Sequence, residues 1–143
     1  MAVNLQAVSR ALADQIRTYL VANGRDTNVN AFPVGILAPP SITIYPPTDP
    51  IIYHQSLGPD SDMVTLRLRL EVDAIEGESL LIKIYDYLGV GTATTSSIHD
   101  AVAANPTLDG VVVNAAVTEA QVGDPDTDPS VAWLDVDLIL KVT

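Results

Sequence analysis

The chain contains no cysteine. That excludes a disulfide, a thiolate metal site and a cysteine nucleophile, and it fits a reducing compartment. Aromatic residues are few, 5% of the chain against 48% apolar residues overall, so an aliphatic core of Val, Leu, Ile and Ala is expected. Basic residues are scarce as well: 7 Lys and Arg stand against 18 Asp and Glu, for a formal net charge of −11. Binding nucleic acid through its phosphates needs clustered Lys and Arg, and here they are scattered. The acidity serves solubility, and it also suits a surface that repels polyanions. No apolar run approaches the roughly 20 residues needed to cross a bilayer. The opening M-A-V-N-L-Q-A-V-S-R lacks the basic start and apolar run of a signal peptide. A soluble protein that stays in the cytoplasm where it is made is expected. Its 143 residues are the usual size of one domain, here residues 1–143.

Reactive constellations are equally thin. The two histidines, His54 and His99, have no metal-ligand spacing between them. His99 lies beside Ser97 and Asp100, but neighbours on one helical turn cannot form a nucleophilic triad, and no G-x-S-x-G is present. Gly89-Val90-Gly91-Thr92 follows a helix and precedes no lysine, so it reads as a helix stop and not a phosphate loop. No set of polar residues is placed to converge on a substrate. The chain is therefore read as a non-enzyme with no cofactor, no metal and no catalytic residues.

What is present is alternation. In Val64–Ala74 (V-T-L-R-L-R-L-E-V-D-A) apolar and polar residues alternate without a break. Successive side chains of a strand point to opposite faces, so Val64, Leu66, Leu68, Leu70, Val72 and Ala74 face a core while Thr65, Arg67, Arg69, Glu71 and Asp73 face away. Ala132–Val142 repeats the pattern, with Trp133, Asp135, Asp137, Ile139 and Lys141 outward. Two long one-sided strands imply an antiparallel or mixed sheet with one covered face.

Leu5–Ala22 supplies cover. Leu5, Val8, Leu12, Ile16 and Leu20 form one helical stripe, Asn4 can cap it, and Gly24 is a left-handed stop. A second helix is expected from about Ser79 to Leu88, with Leu80, Leu81, Ile84, Tyr85 and Leu88 buried and Lys83, Asp86 and Tyr87 wet. A short third helix begins after Ser96 or Ser97 and ends at Asn105-Pro106. Asp26–Pro40, interrupted by Pro33 and Gly35, reads as an edge strand or two short pieces. Ile42–Tyr45 and Ile51–His54 read as short strands, the latter in a hairpin with the strand at Val64. Val111–Thr118 reads as a strand, Glu119–Ser130 as an exposed hairpin tip, and Val131–Thr143 as the last strand. The fold class is α+β: a mixed, mainly antiparallel β-sheet with an N-terminal helix and two shorter helices packed on one face.

Two groups of charged residues invite a function. Asp124, Asp126 and Asp128 begin like a calcium loop, but Pro129 stands where the glycine is needed and Asp135 where the closing glutamate belongs. A solvated acidic tip is the better reading. Arg67 and Arg69, with Glu71 and Asp73 further along, can pair across strands with Asp135 and Asp137, or they can form salt bridges between subunits.

The order of these pieces resembles a known family. A helix ends in glycine, a proline-rich passage holds I-I-Y-H, and a long alternating strand follows. Next come a helix ending Tyr85-Asp86-Tyr87-Leu88-Gly89, the run S-S-I-H-D-A-V-A-A-N-P-T-L-D-G at 96–110, and a hairpin. This is similar to the tail terminator proteins of long-tailed bacteriophages, and the likeness covers nearly the whole chain as order and texture. It implies a structural virion protein, assembled in the host cytoplasm and located at the tail or neck. Such a protein forms a homohexameric ring, caps the tail tube, ends its elongation and provides the joint to the head. The implied partners are other copies of the chain, the tail tube protein and a head-closure or connector protein. DNA passes through the lumen without specific binding, and no membrane is involved. Asp124, Asp126 and Asp128 then become a loop facing the lumen or the adjoining ring, and Arg67, Arg69, Glu71 and Asp73 inter-subunit salt bridges. Head–tail connectors and head-closure neck proteins share this size and style and remain the alternative. A monomeric acidic binding domain unrelated to virions is the second.

Overall fold

The computed structural model describes residues 5–25, 27–33, 40–47, 61–72, 77–90, 97–123 and 131–141, with side chains described at all of these but 61–62, 77–80 and 141. The first helix, α1, runs Leu5–Ala22, the bounds that its apolar stripe predicts. Val8, Leu12, Ile16 and Leu20 are fully buried. Gly24 takes φ +86, and the amide of Arg25 reaches back to the carbonyl of Leu20 at 2.8 Å, which satisfies the frayed end of the helix.

Strands β1 (Asn28–Asn30), β2 (Ser41–Tyr45), β3 (Ser61–Glu71), β4 (Asn114–Val122) and β5 (Val131–Lys141) form one sheet in the order β1-β2-β3-β5-β4. The β1–β2 pair is parallel and the other pairs are antiparallel. The two alternating stretches lie side by side at the centre. Leu68 pairs with Leu134 and Leu66 with Val136, so their apolar faces merge. The β1 strand is an edge piece of three residues, as the interrupting proline implies, and Arg17 donates to the carbonyl of Val29 there. The expected Ile51–His54 piece and its hairpin lie outside the described residues, as do the Asn4 cap and residues 34–39.

Helices α2 (Gly77–Leu88) and α3 (Ile98–Ala104) join α1 on the same side of the sheet. Their buried residues and the inward rows of the strands share one hydrophobic cluster. The class is α+β, with a mixed sheet that does not close into a barrel. Ser97 caps α3, its hydroxyl accepting from the amide of Asp100 at 3.0 Å. No helix among the described residues is long and apolar enough to cross a membrane.

Two expectations are corrected. The strand expected at Val111–Thr118 begins three residues later, at Asn114, and runs on to Val122. Before it, Leu108, Asp109 and Gly110 all have positive φ, and this turn tucks Leu108 and Val112 into the core. Burial there overrides the strand preference of the V-V-V run. The hairpin tip expected from Glu119 is correspondingly shorter, because Gly123 still donates to the carbonyl of Val131 at 2.6 Å. The register slips between Val117 and Glu119. This bulge turns Ala120 and Val122 to the side that Ala115 and Val117 occupied, so the alternation changes phase at Thr118.

The second correction concerns α2. Tyr87, expected to be wet, is buried, and its hydroxyl bonds Thr27 Oγ1 at 2.7 Å. Leu81 and Tyr85, expected to be buried, are exposed, together with Ile82. The helix has apolar residues on two faces. The face with Ile84 and Tyr87 is turned inward to the common core, and Thr27 gives the Tyr87 hydroxyl the buried partner without which its burial would be costly.

Candidate functional site

The helices cover one face of the sheet. On the other, the alternation of β3 and β5 sets out polar residues in cross-strand rows. One row reads Tyr45, Arg67, Asp135, Glu119 and the next Thr43, Arg69, Trp133, Gln121. The Arg67 guanidinium forks onto Asp135, with Nε to Oδ1 at 3.0 Å and Nη2 to Oδ2 at 3.4 Å. Arg69 reaches along its own strand to Glu71 at 2.9 Å, since residues two apart share a face. Asp137 accepts from the hydroxyl of Thr65 at 2.6 Å. The rings of Tyr45 and Trp133 lean toward each other across β3, their centroids 5.8 Å apart and their planes tilted by 54°.

Against the edge strand β4 this face holds a shallow depression of about 330 Å³, lined by Arg67, Glu119, Gln121, Trp133 and Asp135. The bulge at Thr118 shapes it by sending Glu119 and Gln121 outward, and the Thr118 hydroxyl donates to the carbonyl of Asp135 at 3.4 Å. The Glu119 carboxylate has no ion-pair or hydrogen-bond partner among the described residues. The depression offers one unpaired carboxylate, one forked ion pair and an indole. Those groups can contact a partner. Among these lining groups no nucleophile is paired with a base.

The residues singled out by sequence separate clearly. Arg67, Arg69 and Glu71 share this face, and the two arginines have carboxylate partners inside the chain. Asp73, Asp124, Asp126, Asp128 and His54 lie outside the described residues. His99 is exposed on α3. Among the described residues no three His, Asp or Glu side chains are grouped to hold a metal ion.

No protein-family model matches the chain, and no curated protein does.

Two further surfaces escape any reading of the sequence. One is a ridge on α2, where Leu81, Ile82 and Tyr85 are 37%, 48% and 39% exposed. Residues at i, i+1 and i+4 line one side of a helix, so these three form a single apolar strip. The sequence carries its signal as a second apolar stripe around α2, but nothing there says which stripe faces inward. The other is a groove of about 310 Å³ at the first turns of α1, walled by Leu5, Ala31, Phe32, Ile44, Pro46 and Pro47. Arg10 lies over the Phe32 ring, 5.8 Å from its centroid. Three separate stretches of chain build this groove, and no local pattern announces such a meeting.

Proposed function

We propose that the chain is the subunit of a tail-terminator-like ring: a structural virion protein that caps the tail tube of a long-tailed bacteriophage, ends its growth and provides the joint to the neck. The reading starts from the resemblance in element order. The observation that carries it further is the one-sided fold. Three helices crowd one face of the sheet, and the opposite face keeps Glu71, Glu119, Asp135 and Asp137 against Arg67 and Arg69. Turned to a lumen, that face makes an acidic wall, and Asp124, Asp126 and Asp128 are proposed for the lumen or the adjoining ring. Duplex DNA carries about one charge per 1.7 Å of axis, so it slides past such a wall without adhering to it.

Light scattering after size exclusion, across a concentration series and with negative-stain imaging of the same fractions, tests the ring. Hexameric rings with a central hole are expected, in solution or on the ends of purified tail tubes. A monomer that also fails to bind tube ends overturns the reading. Binding to the head vertex instead of the tube moves the protein to the head side of the neck.

Replacing Asp124, Asp126 and Asp128 together by asparagine should leave folding intact and impair tail assembly or DNA passage. Wild-type titres of infectious particles from that triple variant would remove the segment from the proposal.

A further inference from the structure

Leu108 and Asp109, in the turn between α3 and β4, are the only non-glycine residues with positive φ among the described residues, at +49 and +59, and Gly110 follows at +88. Aspartate and glycine tolerate the left-handed region, but a leucine Cβ crowds the following carbonyl there, so Leu108 is strained. Such a backbone persists only where its surroundings over-determine it. Here Asn105 is the holding group. Its Nδ2 donates to Asp109 Oδ1 at 2.8 Å and to Gln15 Oε1 on α1 at 3.3 Å. Gln15 Nε2 donates in turn to the carbonyl of Ala101 on α3 at 3.0 Å. The amides of Gly110 and Val112 both reach back to the carbonyl of Thr107, at 3.0 and 3.1 Å.

The valines after the turn are divided by it. Val112 is 3% exposed and Val113 46%, although the amide of Val113 already donates to the carbonyl of Ile139 at 2.8 Å. The β4 ladder begins one residue later, with Asn114 opposite Ile139. On that side Leu140 and Lys141 of β5 have no partner strand among the described residues, while on the other they pair with Asp62 and Ser61 of β3. Running the β4 register back by two residues sets Val113 opposite Leu140 and Val112 opposite Lys141. Ala115 is buried opposite Leu138, and residues two apart on a strand share a face. Val113 would then turn inward and Val112 outward, so the two arrangements exclude each other. The β-branched run favours the strand. Burial of Leu108 and the bonds of Asn105 favour the turn.

We infer that residues 108–113 are a two-state element. In the turn state, the one in this structure, Leu108 and Val112 are buried. In the strand state the left-handed turn relaxes, Leu108 is released, β4 begins at Val112 and Val113 takes the buried place. The bonds of Asn105 and Gln15 are the catch, and they tie the switch to α1 and to the end of α3. The switch belongs to the fold alone and does not depend on the ring. A partner that binds one state better than the other shifts the balance by that difference in affinity.

The cysteine-free sequence lets one introduced thiol report on each valine. Val112→Cys and Val113→Cys are made separately, each in the parent chain and in an Asn105→Ala, Gly110→Val background, and labelled with a maleimide under native conditions. Asn105→Ala removes the catch. Gly110→Val penalises the turn through its backbone alone, because Gly110 has φ +88 and nothing lies within 4 Å of the place its Cβ would take. In that background the thiol at position 112 should react at least about tenfold faster, as a population moves out of the turn state. The thiol at position 113 should react severalfold slower, because it becomes buried in the state that gains.

Any result but this opposed pair of changes overturns the proposal. Faster reaction at both positions marks local melting, and no change at either marks a single state. If the background variant does not unfold cooperatively, the wild-type chain decides. There the amides of Val111 and Val112 should exchange with deuterium at least about a hundredfold faster than that of Leu68 in the core, since they open without global unfolding. Urea should not promote that opening, because a switch between two compact states exposes little net surface. Exchange at the rate of Leu68, or exchange that urea accelerates as it does unfolding, overturns the proposal as well.

Discussion

Truncating Leu68 to alanine should lower the free energy of unfolding by about 3–5 kcal/mol, the upper part of the range for buried Leu→Ala changes. Leu68 is completely buried on the central strand β3. It stands between Ile44 of β2 and Leu134 of β5, both buried as well. Strands hydrogen-bonded on either side hold their spacing of about 4.8 Å, so the sheet cannot collapse into the space left by an isobutyl group. The lost dispersion contacts and the cavity both count. Domains have about 5–15 kcal/mol in all, so the variant should lose a large share of its stability. A urea titration reads this as a lower midpoint at unchanged slope.

The neighbouring Arg67→Ala is the control for face. Its side chain is 42% exposed and that of its partner Asp135 14%. Solvent screens such a pair, and about 1 kcal/mol or less is expected from the ion pair itself. Equal losses at positions 67 and 68 would mean that the assignment of core and outward faces is wrong.

That contrast is legible in the sequence alone. A strict period of two assigns residues 64–72 to faces, but a slip of two residues keeps both apolar rows facing the core. The pattern therefore puts Arg67 and Arg69 on the face of Asp135 and Asp137, and only the structure selects the register that joins Arg67 to Asp135. Helix ends are legible for the same local reason: Gly24, Gly89 and Ser97 each mark a terminus through their own backbone or hydroxyl chemistry. What escapes depends on tertiary choice. An extra residue at Thr118 reverses the phase of β4, so V-T-E-A-Q-V does not read as a strand even though it forms one. Helix α2 has apolar residues on two faces, and the choice of inward side depends on partners distant in sequence, such as Thr27, sixty residues before Tyr87. The ridge follows from that choice and is hidden with it. The groove needs Leu5, Phe32 and Pro46 together, which no window along the chain contains.

Gly89→Val should lower stability by about 2–4 kcal/mol, the sum of a backbone and a packing cost. Gly89 holds φ +80 at the end of α2, where the amide of Val90 returns to the carbonyl of Tyr85 at 3.0 Å. A left-handed backbone costs a residue with a Cβ roughly 1–2 kcal/mol, and β-branching makes it worse. A Cβ at residue 89 would also meet Ser97 Oγ at 3.0 Å and its Cβ at 3.3 Å. Ser97 is fully buried and caps α3, so it cannot retreat without releasing the amide of Asp100, a cap worth about 1 kcal/mol. The strain therefore passes from the end of one helix to the start of the next. Gly24→Ala separates the two terms. Gly24 also has positive φ, +86, but nothing lies within 4 Å of the place its Cβ would take, and about 1 kcal/mol from the backbone alone is expected. Thermal unfolding of Gly89→Val, Gly89→Ala and Gly24→Ala should rank them in that order of damage. If the two alanine variants lost the same amount, the contact with Ser97 would carry no energy, and the coupling between α2 and α3 would have to run through the core alone.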